Sequence, residues 1–101
     1  MSKAYWISTY QKIYDPDKLT AYAALAGPAI IAGGGKFIVR GMPVKTYEAG
    51  INERTVIIEF ESVAAAIATH DSPGYTAALA ALDGGAIREI RIIEGHNAPL
   101  F

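Results

Sequence analysis

Hydrophobic and polar positions change period along the chain, and each change predicts a new element of secondary structure. Residues 4–11 are rich in aromatic and β-branched side chains, which is typical of a strand. Apolar residues then recur at helical spacing over residues 19–30, behind Asp15-Pro16, a capping residue followed by proline at the first helical position. Because a proline ring conflicts with the carbonyl four residues earlier, Pro28 predicts a kink or break in this helix.

The rest of the chain predicts further strands and helices in a regular order. Strand patterns occupy residues 36–40, 44–48 (after a bend), 54–60 and 87–95. Helical patterns follow Ser62 and Ser72, each a capping residue. The order strand, helix, strand, strand, helix, strand predicts an α+β protein with the ferredoxin-like βαββαβ fold, in which two helices cover one face of a four-stranded antiparallel sheet. Right-handed crossovers place the first and third strands at its centre.

Alternation along the strands assigns side chains to the two faces of this sheet. The helix-covered face is predicted to carry Phe37, Val39, Val56, Ile58, Phe60, Ile90 and Ile92. The open face is predicted to carry Trp6, Ser8, Tyr10, Ile38, Arg40, Thr55, Ile57, Glu59, Glu89, Arg91 and Ile93. Because no helix remains to cover so broad an apolar face, we expect a homodimer with sheet packed on sheet. The alternative is that Trp6 and Tyr10 lie on a half-wetted sheet.

Composition narrows the class of protein. A chain of 101 residues, 51% of them hydrophobic, predicts a single domain over residues 1–95 and an extended C-terminal arm over residues 96–101. A net charge of −1 without a basic run argues against nucleic acid. With no cysteine and two distant histidines, we expect no metal site and no tightly held cofactor. We also expect no membrane span, because residues 21–35 are mostly alanine and glycine, and a cytoplasmic location, because no signal peptide is visible.

Several short motifs carry a resemblance to a known group of proteins. They are GGKFIVRG at residues 34–41, EAG at 48–50, VIIEFES at 56–62, DSPGY at 71–75 and IEG at 93–95. In this order and spacing the chain resembles a group of small, mostly bacterial domains of unknown function in the dimeric α+β barrel superfamily. The resemblance covers nearly the whole chain and implies a ferredoxin-like protomer, a dimer, and a pocket between the sheet and the helices.

The superfamily to which that group belongs has several activities. It includes cofactor-independent monooxygenases, muconolactone-isomerase-like enzymes, haem-degrading enzymes and stress-response binding proteins. A shared fold does not select one of these activities for this chain.

Three side chains are candidates for catalysis in the expected pocket. Arg40 offers a planar guanidinium to a carboxylate or an enolate. Glu59, expected on a covered face, suits a general base, and Tyr75 suits a hydrogen-bond donor to a ligand oxygen. The structural alternatives are ion pairs for Arg40 and Glu59, the latter with Arg40, Arg54 or Arg91, and core packing for Tyr75.

Four further residues are candidates for binding a substrate. Trp6 and Tyr10 can line a pocket for a planar apolar ligand. His70 can shuttle a proton near neutral pH, and Ser72 lies beside it at the break between two helical segments. The structural alternatives are a histidine that favours a helix C-terminus and an ordinary helix cap at Ser72.

Two functions remain open on this evidence. The first is binding of a small oxygenated or aromatic compound in a dimer pocket, with isomerase-like or monooxygenase-like chemistry and no cofactor. The carboxylate candidate would then move a proton beside a carbonyl while the other two catalytic candidates stabilise the oxyanion. The second is a non-catalytic ligand-binding or stress-related dimer whose charges only order the interface.

Overall fold

Seven elements follow one another in residues 2–96, which are the residues that the structure describes. In this computed structural model they are β1 (Ala4–Ile13), α1 (Pro16–Ala32), β2 (Lys36–Gly41), β3 (Thr55–Phe60), α2 (Val63–His70), α3 (Pro73–Leu82) and β4 (Ala86–Glu94). The strands form one antiparallel sheet in the order β2-β3-β1-β4. The predicted ferredoxin-like fold, with β1 and β3 at the centre, is confirmed. Apart from His96, the predicted C-terminal arm lies outside the described residues.

The predicted helix starts are confirmed by their caps. Asp15 Oδ1 accepts hydrogen bonds from the backbone N–H groups of Asp17 (3.0 Å) and Lys18 (3.2 Å) at the start of α1. Ser62 Oγ does the same for Ala65 N (3.1 Å) at the start of α2. Each cap satisfies backbone donors that the first helical turn leaves without partners.

One predicted strand is absent, and the break that was one of two predicted effects of Pro28 does not occur. Residues 42–54 contain no strand, so the predicted strand at 44–48 is part of a long connection between β2 and β3. The first helix continues through Pro28 without a break. Both Pro28 and Ala24, whose carbonyl loses its partner, are exposed, so water can satisfy that carbonyl.

The pairing register corrects the predicted face of β1. Trp6 pairs with Ile58 on one side and with Ile92 on the other, and paired residues share a face. Trp6, Ser8 and Tyr10 therefore lie on the helix-covered face, and their assignment to the open face was wrong. All three are buried, so the alternative of a half-wetted sheet is wrong as well. Alternation shows which residues of one strand share a face. Only the pairing register shows which face of the neighbouring strand they share.

A bulge in β2 corrects a second assignment. The register shifts between Phe37, which pairs with Ile58, and Val39, which pairs with Ile57. An extra residue in one strand inverts the alternation beyond it. Val39 therefore lies on the open face and Arg40 on the helix-covered face, the reverse of the prediction.

The open face has an apolar centre, as predicted, but some of the residues that form it differ from those predicted. Ile57 and Ile93 lie there as expected, and Tyr5 and Ile7 of β1 join them in place of the aromatic residues that moved to the core. Ile93 is 57% exposed and Val39 43% exposed. No described helix covers this face.

The helices pack unevenly over the other face. α2 contacts β1, β3 and β4, whereas α1 packs mainly beside α3. This arrangement leaves space between α1 and the sheet. No helix within residues 2–96 is both long and apolar enough to cross a lipid bilayer.

The close approach of α1 and α2 generates a test of this packing. A Cβ added at Gly33, the residue after α1, would meet the Thr69 side chain, with its Cβ only 2.9 Å away. We expect Gly33→Ala to destabilise the fold by about 1–3 kcal/mol, because the two helix ends must separate. Urea unfolding measures this change.

Gly27, which lies within α1, provides the control. A Cβ at Gly27 would meet nothing within 4 Å. Gly27→Ala should therefore stabilise the protein by about 0.5–1 kcal/mol through helix propensity. Equal destabilisation by both variants would contradict the described packing.

Candidate functional site

A cavity of about 320 Å³ lies between α1 and the helix-covered face of the sheet. Tyr22, Ala26 and Ile30, through which α1 packs on the sheet, line one side of it. Much of its wall is apolar and comes from β1, β3 and α1, namely Trp6, Val56, Ile58, Leu19, Ala26 and Ile30. Such a wall suits the body of a small organic molecule.

One side of the cavity is formed by Arg88 of β4 and the tyrosine hydroxyls that surround it. Arg88 Nη1 donates to Tyr22 Oη (2.9 Å) and to Tyr10 Oη (3.2 Å), and Nη2 donates to Tyr75 Oη (3.0 Å). The guanidinium also lies over the Tyr22 ring, 4.4 Å from its centroid. Burial opposes the charge, but the phenol oxygens outweigh it and raise the pKa of Arg88. The cation is thus permanent, and no acidic group of the described residues pairs with it.

The hydrogen bond between Tyr22 and Tyr75 determines which proton is left for the cavity. Their hydroxyl oxygens are 2.7 Å apart, and either can donate. Tyr75 is completely buried and does not line the cavity, and burial raises the pKa of its phenol, so it keeps its proton. The only described acceptor for that proton is Tyr22. With Tyr75 as the donor, the Tyr22 O–H would be left for a ligand in the cavity, which Tyr22 lines.

The other polar groups of the wall are also hydrogen-bond donors. Arg40 and Arg54 line the cavity, and neither forms an ion pair within residues 2–96. Ser8 lines it too, and its buried hydroxyl has no hydrogen-bond partner there. No aspartate, glutamate or histidine of the described chain is part of the lining. The cavity therefore combines positive charge and hydroxyl groups with an apolar wall.

The structure separates the three predicted catalytic residues. Arg40 lines the cavity, and Tyr75 lies behind the cavity wall. Glu59 lies on the open face, where Tyr5 Oη donates to it (3.4 Å) and Lys3 Nζ is 3.5 Å away. Its ion-pair partner is thus a lysine, and none of the arginines named as alternatives. Arg40 and Glu59 are on opposite sides of the sheet.

Two of the four predicted binding residues line the cavity, and the other two lie outside it. Trp6 and Tyr10 line the cavity. His70 packs against the ring of Trp6 (5.4 Å between centroids) and contacts Asp71 Oδ1 through Nδ1 (3.2 Å). Ser72 caps α3 and donates to Thr69 O (2.7 Å). His70 and Ser72 thus stabilise the junction of α2 and α3, outside the cavity.

Two important residues were missed at the level of sequence. They are Tyr22 and Arg88, and neither is among the candidate site residues drawn from the sequence. A signal for Arg88 was present, because it precedes Ile90 and Ile92 at the two-residue spacing of one strand face. A charged residue on a face predicted to be covered by helices indicates a buried polar site.

No three histidine, aspartate or glutamate side chains within residues 2–96 lie close enough to hold a metal ion.

The chain matches one known protein family over nearly its whole length. Residues 3–96 match the family described as domain of unknown function DUF1330. The chain belongs to this family. No curated protein matches this DUF1330 chain significantly.

Solved structures similar to the DUF1330 chain share its fold. A protein of unknown function from Rhodopseudomonas palustris, RPA0582, superposes with a TM-score of 0.73 at 16% identity, over 96% of this chain and 85% of that one. A dimeric ferredoxin-like protein of unknown function from Thermobifida fusca gives 0.62 at 18% identity, over 92% and 91%. SnoaB, a cofactor-independent oxygenase from Streptomyces nogalater, gives 0.61 at 14% identity, over 98% of each chain. At these identities the similarity concerns the fold alone.

The phenol network generates a stability prediction. Tyr75→Phe removes the donor to Tyr22 and leaves Arg88 Nη2 without its acceptor. We expect a loss of about 1–3 kcal/mol in the free energy of unfolding, because buried polar groups lose their partners. Denaturant unfolding of Tyr14→Phe is the control, because Tyr14 is 56% exposed. Equal stabilities for the two variants would contradict the network.

Proposed function

We propose that this DUF1330 protein binds a small organic oxyanion in the cavity between α1 and the sheet. The ligand class is a carboxylate, enolate or phenolate with an apolar or aromatic body. The observation that carries the proposal is the lining, in which three arginines and several hydroxyl groups occur without an acidic side chain among the described residues.

Electrostatics supports an anionic ligand. Arg88 is partly buried, and neutral phenols compensate its positive charge only in part, which favours an anionic ligand. An oxyanion in the cavity would supply the missing negative charge and accept a hydrogen bond from the Tyr22 hydroxyl. The guanidinium groups of Arg40 and Arg54 would strengthen the attraction of the cavity for anions.

The apolar wall supports an organic ligand over a small inorganic anion. Trp6, Phe37 and Ile30 line the same cavity as the arginines. Burying a ring or a short hydrocarbon body against them would add roughly 25 cal/mol for each Å² of apolar surface removed from water. Charged and apolar contacts together favour a compound such as an aromatic acid.

The proposal includes assembly as a homodimer through the open face of the sheet. The apolar centre formed by Ile7, Ile57 and Ile93 has no described cover and is broad enough to suit a second sheet. The Thermobifida fusca neighbour is described as dimeric. A two-fold axis would place the same face of both protomers in contact.

A second candidate function is catalysis in the same cavity. Tyr22 supports it, because a hydroxyl that accepts a hydrogen bond from Arg88 is well placed to stabilise an oxyanion formed during a reaction. SnoaB is described as a cofactor-independent oxygenase, but its similarity concerns the fold. Conversion of a bound ligand to a new product, detected by mass spectrometry and lost in Tyr22→Phe, would favour catalysis over simple binding.

Titration of the protein with benzoate tests the binding proposal. We expect saturable binding by calorimetry, no binding of the neutral benzamide, and an affinity at least tenfold weaker in Arg54→Met because a charge-assisted contact is lost. Arg91→Met is the matched control, since Arg91 lies on the open face beside Glu89. Equal affinity for benzoate and benzamide, or no binding of either, would refute the proposal.

Sedimentation velocity at micromolar concentration tests the dimer. We expect a dimer for the unmodified protein and a monomer for Ile57→Lys, because a charge buried in the sheet interface cannot be solvated. Ile31→Lys is the control, since Ile31 is 64% exposed on α1 and belongs to the helical layer. A monomeric unmodified protein would exclude this mode of assembly.

A further inference from the structure

Ser8 places an isolated hydroxyl on the cavity wall. It lies on β1 between Trp6 and Tyr10 on the helix-covered face, and it is only 3% exposed. Its Oγ is buried, and no described residue lies within hydrogen-bond distance of it. The residue nevertheless lines the cavity.

The side chains beside Ser8 on the sheet are apolar or aromatic. Its partners across the sheet are Val56 and Ile90, and its neighbours along the same face are aromatic. A buried hydroxyl without a partner destabilises the folded state, whereas alanine at this position would not. The hydroxyl thus has no structural use among the residues that surround it.

We propose that Ser8 binds a second oxygen of the ligand, separate from the oxyanion that the arginines hold. This inference rests on the proposed function and narrows its ligand class to hydroxy- and oxo-carboxylates. Ser8 and Tyr10 are two positions apart on one strand, so their side chains stand about 7 Å apart along it. A carboxylate near Tyr10 and Arg88 and an oxygen at Ser8 therefore belong to a ligand with a ring or a short chain between them.

The test compares benzoate with 3-hydroxybenzoate and 4-hydroxybenzoate by calorimetry. We expect at least one hydroxylated acid to bind the unmodified protein about five- to tenfold more tightly than benzoate, through one additional hydrogen bond. Ser8→Ala should reduce that preference to less than twofold, because the additional hydrogen bond is lost. Ser8→Cys retains a side chain of similar size with a weak donor, and it should lose the preference as well.

Thr9→Ala is the matched control, because Thr9 follows on the same strand and faces the other side of the sheet. It should keep the full preference for the hydroxylated acid. Ser8→Ala should also melt at the same temperature as the unmodified protein or a few degrees higher, since it removes an unpaired buried hydroxyl.

The outcomes separate this inference from the proposed function. If benzoate binds but Ser8→Ala keeps the preference, or weakens all three acids equally, the role of Ser8 is refuted and the oxyanion site stands. Equal affinity of the unmodified protein for the three acids refutes it too, as does a clear fall in the melting temperature of Ser8→Ala. If none of the three acids binds, both proposals fall.

Discussion

The Arg88 guanidinium is the group on which the arrangement of this domain depends. Its hydrogen bonds connect β4 to Tyr10 on β1, Tyr22 on α1 and Tyr75 on α3. One side chain thus connects the edge strand β4 and the central strand β1 to the helices α1 and α3. The network provides acceptors for three of the five N–H donors of the guanidinium, and because these acceptors are neutral phenols it leaves the charge largely uncompensated.

This charge gives the cavity its chemical character. A space between a helix and a sheet would ordinarily be filled with apolar side chains at the density of a protein interior. Here the space beside α1 combines Trp6 and other apolar groups with guanidinium and hydroxyl groups, and no acidic side chain of the described residues lines it. Volume, charge and hydroxyl groups all agree with one kind of ligand, a small organic anion.

Only some of the residues that line the cavity could be predicted from the sequence. Arg40, Trp6 and Tyr10 line the cavity, although all three were assigned to the wrong face of the sheet. Glu59 and Arg40 were both expected on the open face, but a bulge in β2 turned Arg40 to the other side. A bulge of this kind leaves no clear mark in the order of residues, because it depends on how two strands align.

Local patterns were sufficient for the order of the elements, the helix caps and the family resemblance, because capping, periodicity and turn formation involve residues close together in the chain. The faces of the strands and the contents of the cavity depended on pairing between distant segments. Tyr22, Tyr75 and Arg88 are separated by 53 and 13 positions, and each alone looks like an ordinary core or surface residue. Only packing of the helices on the sheet brings their polar atoms within hydrogen-bond distance, since that distance is a property of three-dimensional register and not of sequence spacing.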